Sequence, residues 1–174
     1  TITSRLSDLH EAITGAIASL KGPLHGEANE AVMHMMKEIG RPKKAHPMDV
    51  ARTSVRIMGF EDKETKDNSP KANMRKIMKI LAKTPVALAA FYRARKGKKI
   101  KKKKKNLSFS ENFFHMCFGK VPNKDIVKAF DVSLILYAEH SFNVSTFTAR
   151  TITSSLSDIH GAITGAIASL KGPL

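Results

Sequence analysis

Two histidines beside predicted helix ends are the residues whose types and positions could do chemistry in this chain. His25 follows Gly22-Pro23, a pair that ends one predicted helix, and the next helix begins just after it. The N-terminal end of a helix favours neutral imidazole, which can donate a hydrogen bond at pH 7 without acting as a strong acid. Glu27 lies two residues further on, and its charge favours the protonated form instead. Without further context, a surface histidine in a turn is the alternative.

The second histidine of interest, His140, ends a long predicted helix, and Asn143 lies three residues beyond it. Taken alone, His140 fits better as a helix-end histidine whose hydrogen bonds are satisfied. The remaining histidines lack the spacing of metal ligands, and we interpret them as structural or surface residues: His10, His34, His46, His115 and His160. The sequence has no Gly-rich phosphate loop and no Ser/His/Asp arrangement. Because the histidines lack the spacing of metal ligands, the sequence predicts no metal site.

The charge of the chain is concentrated in one segment. The net charge is +15, yet between Asn68 and Ser110 there are fifteen lysines and arginines and no acidic residue. The densest part is a run from Lys98 to Lys105, which Ile100 interrupts. A basic surface distributed over a fold indicates a polyanion partner, whereas a single run is weaker evidence. We therefore favour a solvated loop, with nucleic acid or anionic lipid as the alternative partner.

The composition is typical of a globular helical protein. The 174 residues suffice for one domain, and 42% are hydrophobic, with eight Met, nine Phe, two Tyr and no Trp. The single cysteine, Cys117, fits a reducing compartment. There is neither an apolar run of about 20 residues nor a secretory signal. We expect a soluble protein of the cytoplasm.

A long repeat is the clearest internal feature. Residues 1–24 and 151–174 differ at only three positions. Each copy predicts a helix with one apolar stripe, flanked by small residues that would let another helix approach closely. In the second copy the stripe comprises Leu156, Ile159, Ile163, Ile167 and Leu170. We expect the two helices to pack as neighbours or across a dimer.

Apolar spacing predicts further helices, and strand-like alternation is nearly absent, so the fold class is all-α. Residues 61–70 are polar and end in proline, which indicates a loop. Pro85 is expected to open a new helix, and Ser108 or Ser110 to cap one that Gly119 ends. The other helices are predicted over about 27–38, 47–58, 74–81 and 123–140.

Several segments resemble citrate synthases and 2-methylcitrate synthases. LKGPLHGEANEAVMHMM at 20–36 is similar to their LKGPLHGGANEAVM motif, and DVSLILYAEHSFNVSTFTARTI at 131–152 to the segment that precedes it. HPMDVARTSV at 46–55 and FYRARKGK at 91–98 are similar to parts further upstream. The resemblance implies an all-α bundle like part of the large domain of these enzymes.

The resemblance also implies a reaction and its residues. The family condenses an acyl-CoA with oxaloacetate, an acyl transfer that with acetyl-CoA belongs to the tricarboxylic acid cycle. By motif match, His25 would be catalytic and stabilise the enol of the thioester, and His140 and Asn143 would bind the oxo acid. It implies no resident cofactor, because acetyl-CoA or propionyl-CoA enters as a substrate, and it implies a homodimer. The base Asp and the second catalytic His have no matching residue in these 174 residues, so we expect an incomplete or inactive fragment.

The order of the segments departs from the family. We interpret residues 1–40 as a segment from the C-terminal side, with a helix, the GPLHGEAN turn and a second helix. Residues 41–46 are the junction, and 47–174 form an upstream large-domain segment with a Lys-rich loop at 96–106. Residues 151–174 then repeat 1–24.

Overall fold

The computed structural model describes residues 44–138 and 143–171. Over these residues the chain forms six helices and no strand, which confirms the all-α class. In chain order they are α1 (Pro47–Glu61), α2 (Pro70–Arg95), α3 (Phe109–Phe118), α4 (Lys124–Ala138), α5 (Val144–Ser154) and α6 (Ile159–Ser169). The first copy of the repeat and the helix predicted over 27–38 lie outside the described residues. None of the helices in the described ranges is long and apolar enough to cross a membrane.

Local sequence signals explain most helix ends. The His46 side chain accepts a hydrogen bond from the Met48 amide and caps α1, whose first residue is a proline. Of the two predicted caps for α3, Ser108 and Ser110, the structure uses Ser108, which forms a capping box with Glu111. Gly119 ends α3 with a φ of 87°, a left-handed conformation that glycine adopts without strain. These boundaries confirm the predicted starts of α1 and α3.

The prediction that Pro85 opens a new helix is wrong. Helix α2 is 26 residues long and continues through Pro85, although proline has no N–H to donate to the preceding turn. The residues on both sides of Pro85, including Ile80 and Val86, are buried in one hydrophobic cluster. Because both halves of α2 contribute to this cluster, their packing offsets a proline cost of about 3 kcal/mol.

The second repeat copy does not begin its helix where the sequence predicted. Its first residues end α5, and the chain then turns at Leu156, which has a φ of 63° and is 85% exposed. Asp158 caps α6 through its side chain, which accepts from the Gly161 amide at 2.9 Å. Leu156 is therefore a turn residue, and the apolar stripe begins at Ile159.

The core lies between α1, α2, α3 and α6. Helix α6 packs against α1 and α5, and α2 packs against α1 and α3. The small residues of α6 allow the close approach that its sequence predicted, since a Cβ at Gly165 would lie 2.2 Å from the Ile152 side chain. The fully buried apolar residues include Val50, Val55 and Ala87. By contrast, α4 buries none of its residues.

Candidate functional site

The predicted site residues fall at the edge of the described structure. His25, with Glu27 beside it, and His140 lie outside the described residues. Asn143 lies within them, at the start of α5. The roles assigned to these residues by motif match therefore stay predictions.

Asn143 is held by the N-terminal turn of α5. Its side-chain oxygen accepts hydrogen bonds from the Ser145 amide at 2.9 Å and the Thr146 amide at 3.2 Å, and also from the Ser145 hydroxyl. Its own carbonyl accepts from the Phe147 amide at 3.0 Å. This capping fixes the amide group at the positive end of a helix dipole, which favours negative charge nearby.

A buried histidine outside the predicted site lies between two carboxylates. His160, in α6, is 1% exposed. Its Nε2 lies 3.8 Å from an oxygen of Asp62, and its Nδ1 lies 3.8 Å from an oxygen of Asp158. Among the described atoms, Nδ1 has no hydrogen-bond partner. His160 is therefore wedged between two carboxylates at a distance longer than a hydrogen bond.

Burial sets the protonation of this cluster. It lowers the pKa of His160, and the charges of Asp62 and Asp158 offset the effect only in part. Burial alone would raise the pKa of Asp62, but hydrogen bonds from the Glu64 amide and the Lys79 ammonium outweigh it, so this pKa lies below its usual value. At neutral pH the geometry favours a neutral imidazole between two ionised carboxylates.

A cavity of about 380 Å³ opens beside His160. Three acidic side chains and three lysines line it. No group of three or more residues that could hold a metal ion occurs in the described part of the chain. The lining residues are Met58, Glu61, Asp62, Lys63, Glu64, Lys79, Lys83 and His160. We interpret the cluster as the junction that joins α6 to the end of α1.

Sequence reasoning placed His160 among structural or surface histidines, and its burial confirms the structural role. It missed the contact with Asp62, because Asp62 follows the end of α1 and lies 98 positions before His160, which is in α6. The available signal was local: Asp158 two residues before His160 is an N-cap residue at the start of an apolar run. The Asp62 contact needed the tertiary fold.

Comparisons with known proteins decide the family. The model of the family described as "Citrate synthase, C-terminal domain" matches residues 1–45 and 40–174. The chain belongs to the citrate synthase family. The predicted resemblance is thereby confirmed, and these likenesses give no support to a polyanion-binding family.

Individual relatives agree with this assignment. The chain is 47% identical over 133 residues to a 2-methylcitrate synthase of Mycobacterium tuberculosis, which covers 76% of the chain and 33% of that protein. It is 37% identical over 176 residues to citrate synthase 2 of Bacillus subtilis, which covers 94% of the chain and 47% of the relative. The chain therefore spans less than half the length of these relatives.

Solved structures show the same fold. The crystal structure of citrate synthase from Thermotoga maritima aligns with a TM-score of 0.68 at 30% identity, over 98% of this chain and 41% of that one. Citrate synthase from Pyrobaculum aerophilum aligns with a TM-score of 0.66 at 27% identity, over 98% and 42%. The chain thus has the fold of part of a citrate synthase.

Proposed function

We propose that the chain carries the oxo-acid-binding and enol-stabilising residues of an acyl-CoA condensing enzyme. The observation that carries this is the family match over residues 40–174, which includes Asn143 fixed at the N-terminus of α5. His140 and Asn143 would donate hydrogen bonds to oxaloacetate, whose carboxylates suit the positive end of a helix. His25 would hydrogen-bond the thioester oxygen of acetyl-CoA or propionyl-CoA.

Isothermal titration calorimetry with oxaloacetate tests the binding part. We expect saturable heat from the full chain and a loss of at least tenfold in affinity for His140→Ala. The matched control is His46→Asn, which changes an exposed histidine and keeps an N-cap side chain. If oxaloacetate does not bind, or if both variants bind alike, this assignment is wrong.

We propose that these residues alone do not complete the condensation. Removal of the α-proton of the thioester needs a base, and no residue of this sequence matches the family's aspartate. A missing acid–base group costs about 10²–10⁴-fold in rate. A thiol-release assay with oxaloacetate and either acyl-CoA should give no turnover above background. Turnover that disappears in His25→Ala would mean that another carboxylate serves as the base.

We further propose a homodimer, supported by the apolar surface of α4. Ile135, Leu136 and Tyr137 are 72%, 68% and 78% exposed, and Phe147 on α5 is 72% exposed. Exposed apolar surfaces are typical of protein interfaces. A cytoplasmic location fits the one cysteine, Cys117, which is free and buried, with burial raising the pKa of its thiol to about 11.

A further inference from the structure

The Lys-rich loop between α2 and α3 has no part in the proposed reaction. We call residues 98–105 the lysine strap, since seven of these eight residues are lysines. The strap forms no helix, and the sequence alone favoured a solvated loop. Its backbone is nevertheless held against the fold at several points.

Two side chains anchor the strap. The Arg93 guanidinium, which is buried, donates to the Lys99 carbonyl and also to the Cys117 carbonyl at 3.2 Å. The Asn112 amide donates to the Lys104 carbonyl at 2.9 Å and accepts from the Lys104 amide at 2.8 Å. Ile100 packs against the hydrophobic core. The lysines therefore project from a positioned backbone and do not form a free tail.

The anchored backbone presents its lysines unevenly. Lys101 and Lys103 are half-buried, whereas the outward-facing residues are Lys98, Lys99, Lys102, Lys104 and Lys105. In the described ranges no carboxylate forms an ion pair with any of these five outward-facing lysines. The nearby acidic side chains have other partners, Glu111 in the α3 capping box and Asp131 on the Ser110 hydroxyl.

The positive charge of the strap lowers the pKa values of neighbouring groups. The pKa of His115 is lowered by burial and then by the charges of Lys104 and Lys101. The pKa of Lys103 is lowered by burial and then by Lys105. An anion at the strap would relieve this mutual repulsion.

An aromatic surface borders the strap. Phe118 is 49% exposed. The adjoining Gly119 lies against Lys101, since a Cβ added at Gly119 would be 3.1 Å from the lysine Cε. The Phe118 ring contacts Tyr92 edge to face at 5.3 Å, and the Lys96 ammonium lies 4.9 Å from the Tyr92 ring. Basic groups beside an exposed ring suit a single nucleic-acid strand, because phosphates meet the cations and a base stacks on the ring. A bilayer would gain only one apolar anchor here, the ring of Phe118, because the strap's own apolar residue, Ile100, packs against the core.

We propose that the lysine strap and Phe118 form a surface that binds single-stranded nucleic acid without sequence preference. The outward lysines neutralise backbone phosphates, and Phe118 stacks against one base. This proposal does not depend on the proposed oxo-acid site.

Fluorescence anisotropy with a labelled oligouridine of about 15 nucleotides tests the proposal on the full chain. The logarithm of the affinity should fall linearly with the logarithm of salt concentration, by about 0.7 per phosphate neutralised. Replacing Lys102, Lys104 and Lys105 by Gln should reduce that slope by about 2. Phe118→Leu should weaken binding by about 5- to 150-fold with an unchanged slope.

The matched control replaces three exposed lysines outside the strap, Lys66, Lys71 and Lys128, by Gln and so has the same net charge. We expect this control to retain the slope of the unmodified chain. An equal change of slope in the two triple variants overturns the proposal, because the binding would then follow net charge alone. Tighter binding to phosphatidylserine vesicles than to oligouridine, with no effect of Phe118→Leu on either, also overturns it.

Discussion

The His160 side chain lies directly against Gly59: a Cβ at position 59 would be 2.8 Å from the His160 Cβ and 3.0 Å from its ring. Real Cβ atoms do not approach other carbons this closely, so only glycine allows α6 to pack on α1 at this point. The contact holds the imidazole between Asp62, beyond the end of α1, and Asp158, the cap of α6. The junction of two helices therefore depends on one glycine and one buried histidine.

Gly59→Ala should destabilise the fold even though alanine is the better helix former. The added methyl group overpacks a buried contact, at a cost of about 1–3 kcal/mol that exceeds the propensity gain. Urea denaturation measures the free energy of unfolding. Thr53→Ala, at an exposed position of the same helix, should change it by less than about 0.5 kcal/mol. Equal stability of the two variants would show that α1 and α6 separate readily here.

Acidification should weaken the fold through His160. Burial holds the pKa of this histidine below the value of about 6.5 in an unfolded chain, so the unfolded state binds more protons as pH falls from 7 to 5. The free energy of unfolding should therefore be fully retained above pH 6.5 and decrease below it. His115, whose pKa burial also lowers, contributes with the same sign.

The difference between variants isolates the histidine. Urea denaturation from pH 5 to 8 should give a shallower pH dependence for His160→Asn than for the unmodified chain. Thr53→Ala, at an exposed position without a titratable group, should keep the original slope. If His160→Asn leaves the slope unchanged, the imidazole is not buried in neutral form.

Substitutions of Asn143 should separate its structural role from ligand binding. Asn143→Ala removes the cap of α5 and should cost about 1 kcal/mol of stability. Asn143→Asp keeps the cap and should restore stability, yet its charge should repel oxaloacetate and abolish binding in calorimetry. Normal oxaloacetate affinity in the aspartate variant would remove Asn143 from the oxo-acid site.

The apolar surface of α4 should govern self-association. Ile135→Glu places a charge on a side chain that is 72% exposed, so it should leave the fold intact and convert a dimer to monomers in multi-angle light scattering. Ala129→Glu, an exposed position on the same helix, adds the same charge and should preserve the dimer. A strictly monomeric unmodified chain would contradict the proposed interface.

Sequence patterns predicted elements whose causes are local. The caps at Ser108 and Gly119 act within one helical turn, and the start of α1 at Pro47 follows from its fixed φ. The continuation of α2 through Pro85 was not predictable in this way, because it depends on burial of both halves in the core. The position of Leu156 in a turn likewise depends on Asp158 beginning α6 two residues later.

The same distinction between local patterns and tertiary packing applies to the candidate site. Motif resemblance predicts His25, His140 and Asn143 as site residues, and of these Asn143 lies in the described structure, at the N-cap of α5. The His160–Asp62 pair needed two segments 98 residues apart to be brought together, which no local pattern contains. The lysine strap was visible as a charge run, but its anchoring by Arg93 and Asn112 depends on the packing of α2 and α3.

Nuclear magnetic resonance of the full chain labelled with ¹⁵N tests most directly where oxaloacetate binds. We predict that oxaloacetate shifts the side-chain amide signals of Asn143 and the backbone amides of Val144 and Ser145 in a saturable way. Signals of residues around the His160 cavity, such as Met58 and Lys63, should stay in place. Saturable shifts confined to that cavity, with none at Asn143, would contradict the assignment of the oxo-acid site to the start of α5.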